Sequence, residues 1–308
     1  MGGLAAVGVA LGGAALFNSL AARRTERDNP PRGHFATVGG VRLHYLDRGA
    51  GRPILLLHGN GASSAELEAS GIVARLALSN RVIVPDRPGY GYSDRPRGTL
   101  WTPERQAEIL GELLATLDVQ DAVVVGHSWG TLVAVALALA EPKRVKALLL
   151  VSGYYYPSAR LDVPFLSGPA VPVVGDLLAQ TVAPLVARAI LPALLGKMFR
   201  PLPVDRRFLA RYPLAMSFRP EQIRASAEET AYMIPAAGAL SRRYGELELP
   251  IVIMAGECDR IVDTRRQSVR LHGELPTSAL ALVPGVGHMV QYAECEAIAR
   301  AAEALAAS

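Results

Sequence analysis

The sequence predicts an α/β fold: a mostly parallel sheet, helices on both faces, and an inserted helical segment. Three observations carry this. Short β-branched runs alternate with helix-length segments along most of the chain. The stretch DAVVVGHSWGTLVAVALALA at 121–140 joins one such run to one such helix through a turn with two glycines. Between 154 and 246 the strand pattern stops, half of the 22 prolines gather, and only proline-broken apolar helical stretches remain. The expected layout is a hydrophobic leader and linker over 1–28, an α/β core over 29–153 and 247–308, and a helical cap over 154–246. A chain of 308 residues, 50% hydrophobic, is long enough for one large domain with such an insertion.

The leader comes first. Residues 4–22 are nearly all apolar, broken only by Asn18 and Ser19, and Arg23, Arg24 and Arg27 follow. A run of about 20 apolar residues can cross a bilayer, and arginines hold their side cytoplasmic. The favoured expectation is therefore membrane association through a retained anchor. A cleaved signal peptide is the alternative, since Ser19-Leu20-Ala21 is a small-x-small site, although the usual basic start is missing. A leader that spans nothing is the third reading. Gly8 and Gly12 form a weak helix-pairing motif.

The Asn29-Pro30-Pro31 run then reads as linker. Alternating residues over 35–38 and 41–45 flank Gly39-Gly40 and read as a hairpin. Buried strands are expected over 53–57, 81–85, 121–126 and 145–151. A helix starts at Thr102-Pro103-Glu104, which supplies a cap residue, a first-turn proline and early acidic charge, and runs to 118. Inside the cap, the arginines at 200, 206, 207, 211, 219 and 224 read as a solvated face, with attraction to lipid headgroups the lesser reading. Alternation resumes with a strand over 251–255, a helix over 264–273, a strand over 279–283 and a last helix over 294–306.

Composition removes several function classes. The charge is +4 and the pI near 9.2, and no basic run carries interleaved aromatics, so no nucleic-acid partner is expected. Metal-ligand spacings are absent, so neither metal nor cofactor is expected. Cys258 and Cys295 make no disulfide framework, though a single bridge between them stays open for an exported domain.

The turn at 126–130 is G-x-S-x-G. Glycines on either side let strand and helix pass close together, which lifts Ser128 onto a strained apex at a helix N-terminus. A serine hydroxyl is a poor nucleophile alone; it needs a base and a group to orient that base. Loops after two late strands offer Asp259, in Gly256-Glu257-Cys258-Asp259, and His288, in Gly285-Val286-Gly287-His288. Both follow carboxyl ends of strands, where open α/β sheets place their sites. Glu257 is the runner-up acid. His127 and His58 read as structural, Asp86 as the anchor of its own glycine-rich turn, and Cys258 as a small buried filler.

These motifs resemble those of the α/β-hydrolase fold superfamily, in its capped single-domain form: HGNG at 58–61, DRPGYGYS at 86–93, GHSWG at 126–130, GECDRIV at 256–262 and GVGHMV at 285–290. The resemblance covers everything but the leader. It implies Ser128 as nucleophile, His288 as general acid and base, Asp259 as its orienter, and an oxyanion hole built from the backbone N–H groups of Asn60 and Trp129. The elbow also resembles those of epoxide hydrolases and haloalkane dehalogenases, which carry Asp where this chain has Ser128. The difference is chemical. An aspartate attacking saturated carbon gives an ester that water can reopen, whereas a serine would give an inert ether. Serine implies attack on an acyl carbon. The expectation is a serine esterase acting on small to medium apolar esters, with Tyr154 and Tyr155, beside Tyr156, lining the acyl pocket. Lactone, carbon–carbon, perhydrolytic, polyester and aminopeptidase chemistry stay open on the same triad. The last needs a cap carboxylate such as Glu221, Glu228 or Glu229. The rival class is a non-catalytic receptor that binds a small apolar ligand on the same fold.

Overall fold

The computed structural model describes residues 2–308. Eight strands form one sheet: β1 His34–Val38, β2 Val41–Arg48, β3 Arg52–Leu57, β4 Asn80–Pro85, β5 Ala122–His127, β6 Val145–Val151, β7 Ile251–Gly256 and β8 Ala279–Val283. Their order is β1-β2-β4-β3-β5-β6-β7-β8, with β2 antiparallel to both its neighbours and every later pairing parallel. Register aligns Leu57 with Gly126, Gly126 with Leu150, Val151 with Met254, and Gly256 with Val283. The carboxyl ends of β3, β5, β6, β7 and β8 therefore share one edge, and the loops leaving them are neighbours.

The central strand β5 shows why its sequence does not alternate: all six residues are buried, because both faces of the sheet are covered. On one face lie α4 (Pro103–Thr116) and α5 (Gly130–Ala140); on the other lie α3 (Ile72–Leu76) and α13 (Cys295–Ala307). Helix α4 begins as its sequence dictates, with Pro103 in the first turn and the Thr102 hydroxyl accepting the Arg105 amide at 3.2 Å. Helix α5 is apolar all round because sheet, α4 and cap enclose it. Helices α2 (Ser64–Ser70) and α3, joined at Gly71 with φ 94°, were not legible as helices in the sequence. The segment expected as one helix over 264–273 is a π-helical turn at Arg265–Val269 followed by α11 (Arg270–Glu274), and α12 (Val290–Ala293) precedes α13.

Between β6 and β7 the chain forms α6 (Asp162–Leu166), α7 (Val174–Gln180), α8 (Val182–Phe199), α9 (Arg206–Arg211) and α10 (Pro220–Leu240). The arginine reading is corrected here. Arg200, Arg206 and Arg211 are exposed, but Arg219 is buried and Arg207 and Arg224 are half-buried in structural pairs. Arg219 holds Glu26 at 2.7 Å and the Gly91 carbonyl; Arg207 holds Asp205 at 2.9 Å; Arg224 holds Glu228 at 3.1 Å. The leader is one helix, α1 (Gly2–Asp28), lying against the cap. Cys258 and Cys295 are both free thiols, and Cys258, expected as a buried filler, is exposed in the loop after β7.

Candidate active site

Ser128 sits at φ 53°, in the left-handed region, between β5 and α5. A β-carbon at Gly126 would lie 2.6 Å from the Gly130 carbonyl oxygen, and one at Gly130 would strike the Leu57 carbonyl. Only glycine allows that crossing. A side chain in this backbone region costs about 1–3 kcal/mol, and the surroundings over-determine it. The Ser128 amide donates to the Val151 carbonyl at 2.9 Å, and its own carbonyl accepts the Thr131 hydroxyl at 2.7 Å. Ser128 stays partly accessible.

Asp259 and His288 come together across the ends of β7 and β8. His288 Nδ1 donates to Asp259 Oδ2 at 2.7 Å, and both side chains are buried. Asp259 Oδ1 accepts the amides of Ile261 at 2.7 Å and Val262 at 3.0 Å. Burial alone would raise this carboxyl, but His288, through charge and hydrogen bond, and the two amides outweigh it and hold it below the ordinary range. The pair fixes the imidazole tautomer and leaves Nε2 without a partner among the described residues. No hydrogen bond joins Ser128 Oγ to that ring. The ring lies 5.0 Å, centroid to centroid, from that of His127, the residue preceding Ser128. His127 Nε2 donates to the His288 carbonyl at 3.2 Å, and burial, with His288 nearby, lowers it to about 3. It is a neutral strut for the histidine loop. Glu257, the rival acid, is exposed and makes no bond to His288.

The loop after β3 faces the elbow. A β-carbon at Gly59 would lie 3.1 Å from that of Ser128. Among the described residues, the backbone amides of Asn60 and Trp129 have no acceptor, a disposition an oxyanion would complete. His58 is buried and lowered to about 3, chiefly by burial and then by Arg87, and accepts the Arg87 amide on Nε2 at 3.0 Å. Asp86 anchors its turn, accepting the amides of Ser64 at 2.8 Å and Tyr92 at 3.0 Å and the His44 ring at 2.7 Å.

A buried network missed by sequence reasoning supports this loop. Arg87, fully buried, donates to the carbonyls of His58 at 2.9 Å and Gly59 at 3.1 Å. The same guanidinium grips Glu229 of α10 through both terminal nitrogens and Gln106 of α4 at 2.8 Å. The Tyr90 hydroxyl lies between Glu229 at 2.7 Å and the Asn60 side chain at 2.8 Å, and Asn60 Nδ2 reaches Thr230 of α10 at 3.0 Å. Core and cap are thus bolted together behind the candidate oxyanion loop. Of the three cap carboxylates, Glu229 is neutralised by Arg87 and Glu228 by Arg95 and Arg224, so neither is available to bind an amine.

The tyrosine expectation is corrected. Tyr155 is fully buried in the core against Gly153 and Thr131, its amide on Gln267 at 2.6 Å. Tyr154 is buried too, its hydroxyl accepting the Ser158 amide at 2.9 Å. The Tyr155 ring fills the space that Gly153, without a side chain, leaves open.

A sheet of this order carrying a glycine-flanked serine elbow defines a hydrolase architecture. The chain belongs to the alpha/beta hydrolase fold family, whose model matches residues 52–294. It is 32% identical over 270 residues to an uncharacterized protein of Mycobacterium tuberculosis, covering 84% of this chain and 76% of that one. It is 33% identical over 143 residues to the 2-hydroxymuconate semialdehyde hydrolase of a Pseudomonas species, covering 46% of this chain and 49% of that one. An epoxide hydrolase of known structure superposes with a TM-score of 0.73 at 23% identity, covering 89% of this chain and 98% of its own.

Proposed function

We propose that the protein is a serine hydrolase that cleaves carboxylic esters of small to medium apolar acids through an acyl-enzyme. One observation carries this: a serine at φ 53° stands on the same sheet edge as a His288–Asp259 pair whose Nε2 has no other partner among the described residues. Ser128 Oγ attacks the acyl carbon as His288 Nε2 takes its proton. Asp259 stabilises the imidazolium. The amides of Asn60 and Trp129 take the charge that develops on the carbonyl oxygen, and His288 returns the proton to the departing alcohol; water, losing its proton to His288, then attacks the acyl carbon, and the acid leaves as Ser128 Oγ takes that proton back. The serine separates this chemistry from attack on epoxide or haloalkane carbon.

The 33% identity to a 2-hydroxymuconate semialdehyde hydrolase favours a second reading, carbon–carbon bond hydrolysis by the same three residues. The test uses p-nitrophenyl acetate, butyrate and decanoate beside a vinylogous diketone, with wild type and Ser128→Ala. Serine-dependent release from an ester supports the first reading, and turnover of the diketone alone supports the second. No turnover of either, with no fluorophosphonate labelling of Ser128, would leave a receptor.

A further inference from the structure

We infer that α1 and the outer face of the cap form one lipid-docking surface: the enzyme sits monotopically in a phospholipid leaflet with α6, α7 and α8 against the acyl chains. The docking stands whatever bond Ser128 attacks.

Helix α1 is not a free tether. Leu11, Ala14, Ala15, Asn18, Ala21 and Ala22 form a covered stripe at helical spacing, while residues 5–10 are exposed on every side. Asn18 is buried where α7 meets α8. Its amide group donates to the carbonyls of Gln180 at 3.0 Å and Thr181 at 2.7 Å, and its oxygen accepts from Arg188 at 3.0 Å. These carbonyls, at the end of α7, lack helix partners of their own. One polar residue in an apolar leader therefore fixes the angle of α1 to the cap, and Glu26 on Arg219 pins the other end. Cleavage at Ser19-Leu20-Ala21 would remove Asn18 from the cap, so the contact favours a retained leader.

From Leu11 onward the covered stripe of α1 is held against the cap. Deeper insertion of α1 requires the cap to enter with it. The cap is built for that. Across 161–199 there are four charged residues, Asp162, Asp176, Arg188 and Lys197. Three are turned to partners: Asp162 to Arg160, Asp176 to Arg97 and Arg188 to Asn18. Outward stand Leu161, 95% exposed, and Val173, 82% exposed, with Phe165, Leu177, Leu185 and Leu194. On α1, Val9, Leu16, Phe17 and Leu20 are exposed too. So large an apolar surface marks an interaction site, and the helix fixed beside it is long and apolar enough to cross a membrane. Exposed Arg23, Arg24 and Arg27 at the end of α1 suit anionic headgroups.

The experiment uses the full chain with vesicles of phosphatidylcholine and phosphatidylglycerol, some with brominated acyl chains. Native Trp101 and Trp129 are buried, so added probes report separately. The variants L161W and V173W place a probe on the cap face, and L78W, at a site 80% exposed on the core, is the control. Bromolipid quenching of L161W and V173W, with L78W unquenched, is the expected result. Flotation of the protein with all three probes unquenched would make α1 a mere tether and overturn the inference, as would failure to float. In a second arm, L161D/V173D is expected to lower vesicle binding about ten-fold while L78D leaves it unchanged. Melting curves taken alongside show that both are folded, and equal binding by both would also overturn it.

Discussion

Replacing Glu229 with alanine strips the partner from Arg87 at a site where neither side chain meets solvent. The lost carboxylate accepts from Arg87 twice, from Tyr90 at 2.7 Å and from Gln106 at 2.9 Å. Breaking a buried pair from one side costs about 3–5 kcal/mol, because the surviving charge stays buried. At about 2–4 °C per kcal/mol for a domain of this size, the melting temperature should fall by roughly 6–20 °C. The double variant R87M/E229L leaves no unpaired charge and should recover most of that loss. It should not recover activity. Without the guanidinium the carbonyls of His58 and Gly59 lose their anchor, so kcat for an ester should fall while KM moves little. The assay is thermal unfolding by circular dichroism with steady-state ester hydrolysis on the same preparations. An E229A protein melting within about 2 °C of wild type, or a double variant less stable than E229A, would refute the reasoning that this pair is a coupled buried unit.

Ser128→Ala should lower ester turnover by about 10³-fold or more, and Asp259→Asn by about 10⁴-fold in kcat, each with unchanged melting of the fold, read by steady-state kinetics. Glu66 is buried with one carboxylate oxygen unpartnered, and burial pushes it up to about 7 from the ordinary 4.5, with Gln291 and Tyr292 opposing. The raised folded value means stability is fully present below about pH 4.5 and is lost as pH rises through about 7, a loss of about 3 kcal/mol. Urea unfolding at about pH 5 and about pH 8 should show Glu66→Gln gaining about 2–3 kcal/mol on wild type between the two, because the rise from His58 and His127, both held neutral by burial, is common to both proteins. Hydrogen exchange in detergent should find the amides of α6 and α7 opening well before those of α10; uniform protection across the cap would contradict the division of the cap drawn below.

The sheet was legible because each strand is a contiguous pattern: 123–125 is a valine run, and two faces covered by helices leave no polar residue to blur it. The elbow was legible for the same local reason, since the crossing needs glycine at 126 and 130 and the sequence shows it. What escaped depends on partners far apart. Arg87 and Glu229 are separated by 142 positions, and nothing near either distinguishes them from solvated charges. Asn18 read as an interruption of an apolar run because the two carbonyls it caps lie 162 and 163 residues away. The tyrosines at 154–156 read as pocket walls because aromatic residues at a cap entrance suit a ligand. For Tyr155 the deciding fact, the space left by Gly153 against its ring, is tertiary.

The cap does more than cover. Helix α10 holds the candidate oxyanion loop through Glu229 and Thr230, and the end of α8 holds the histidine loop, the Met198 carbonyl accepting the His288 amide at 3.0 Å. Gly287 lies so close to the carbonyls of Met198 and Arg200 that no side chain fits there. A cap swinging open as one rigid lid would break the Arg87–Glu229 pair and unseat both loops, at a cost the buried ions make prohibitive. The cap is held to the core by fewest buried ties in α6 and α7, although Asn18 of α1 holds the far end of α7. Helices α6 and α7 bury only Gly175 and Ala179 between them, and their ties to the core include the exposed Arg97–Asp176 pair. An exposed ion pair, screened by water and salt, contributes little beside the buried one. The segment held by fewest ties is thus also the one that carries Leu161, Phe165, Val173 and Leu177 outward. In water, opening it would expose still more apolar surface; against acyl chains, where the proposed docking would place it, that penalty disappears and the barrier to opening falls.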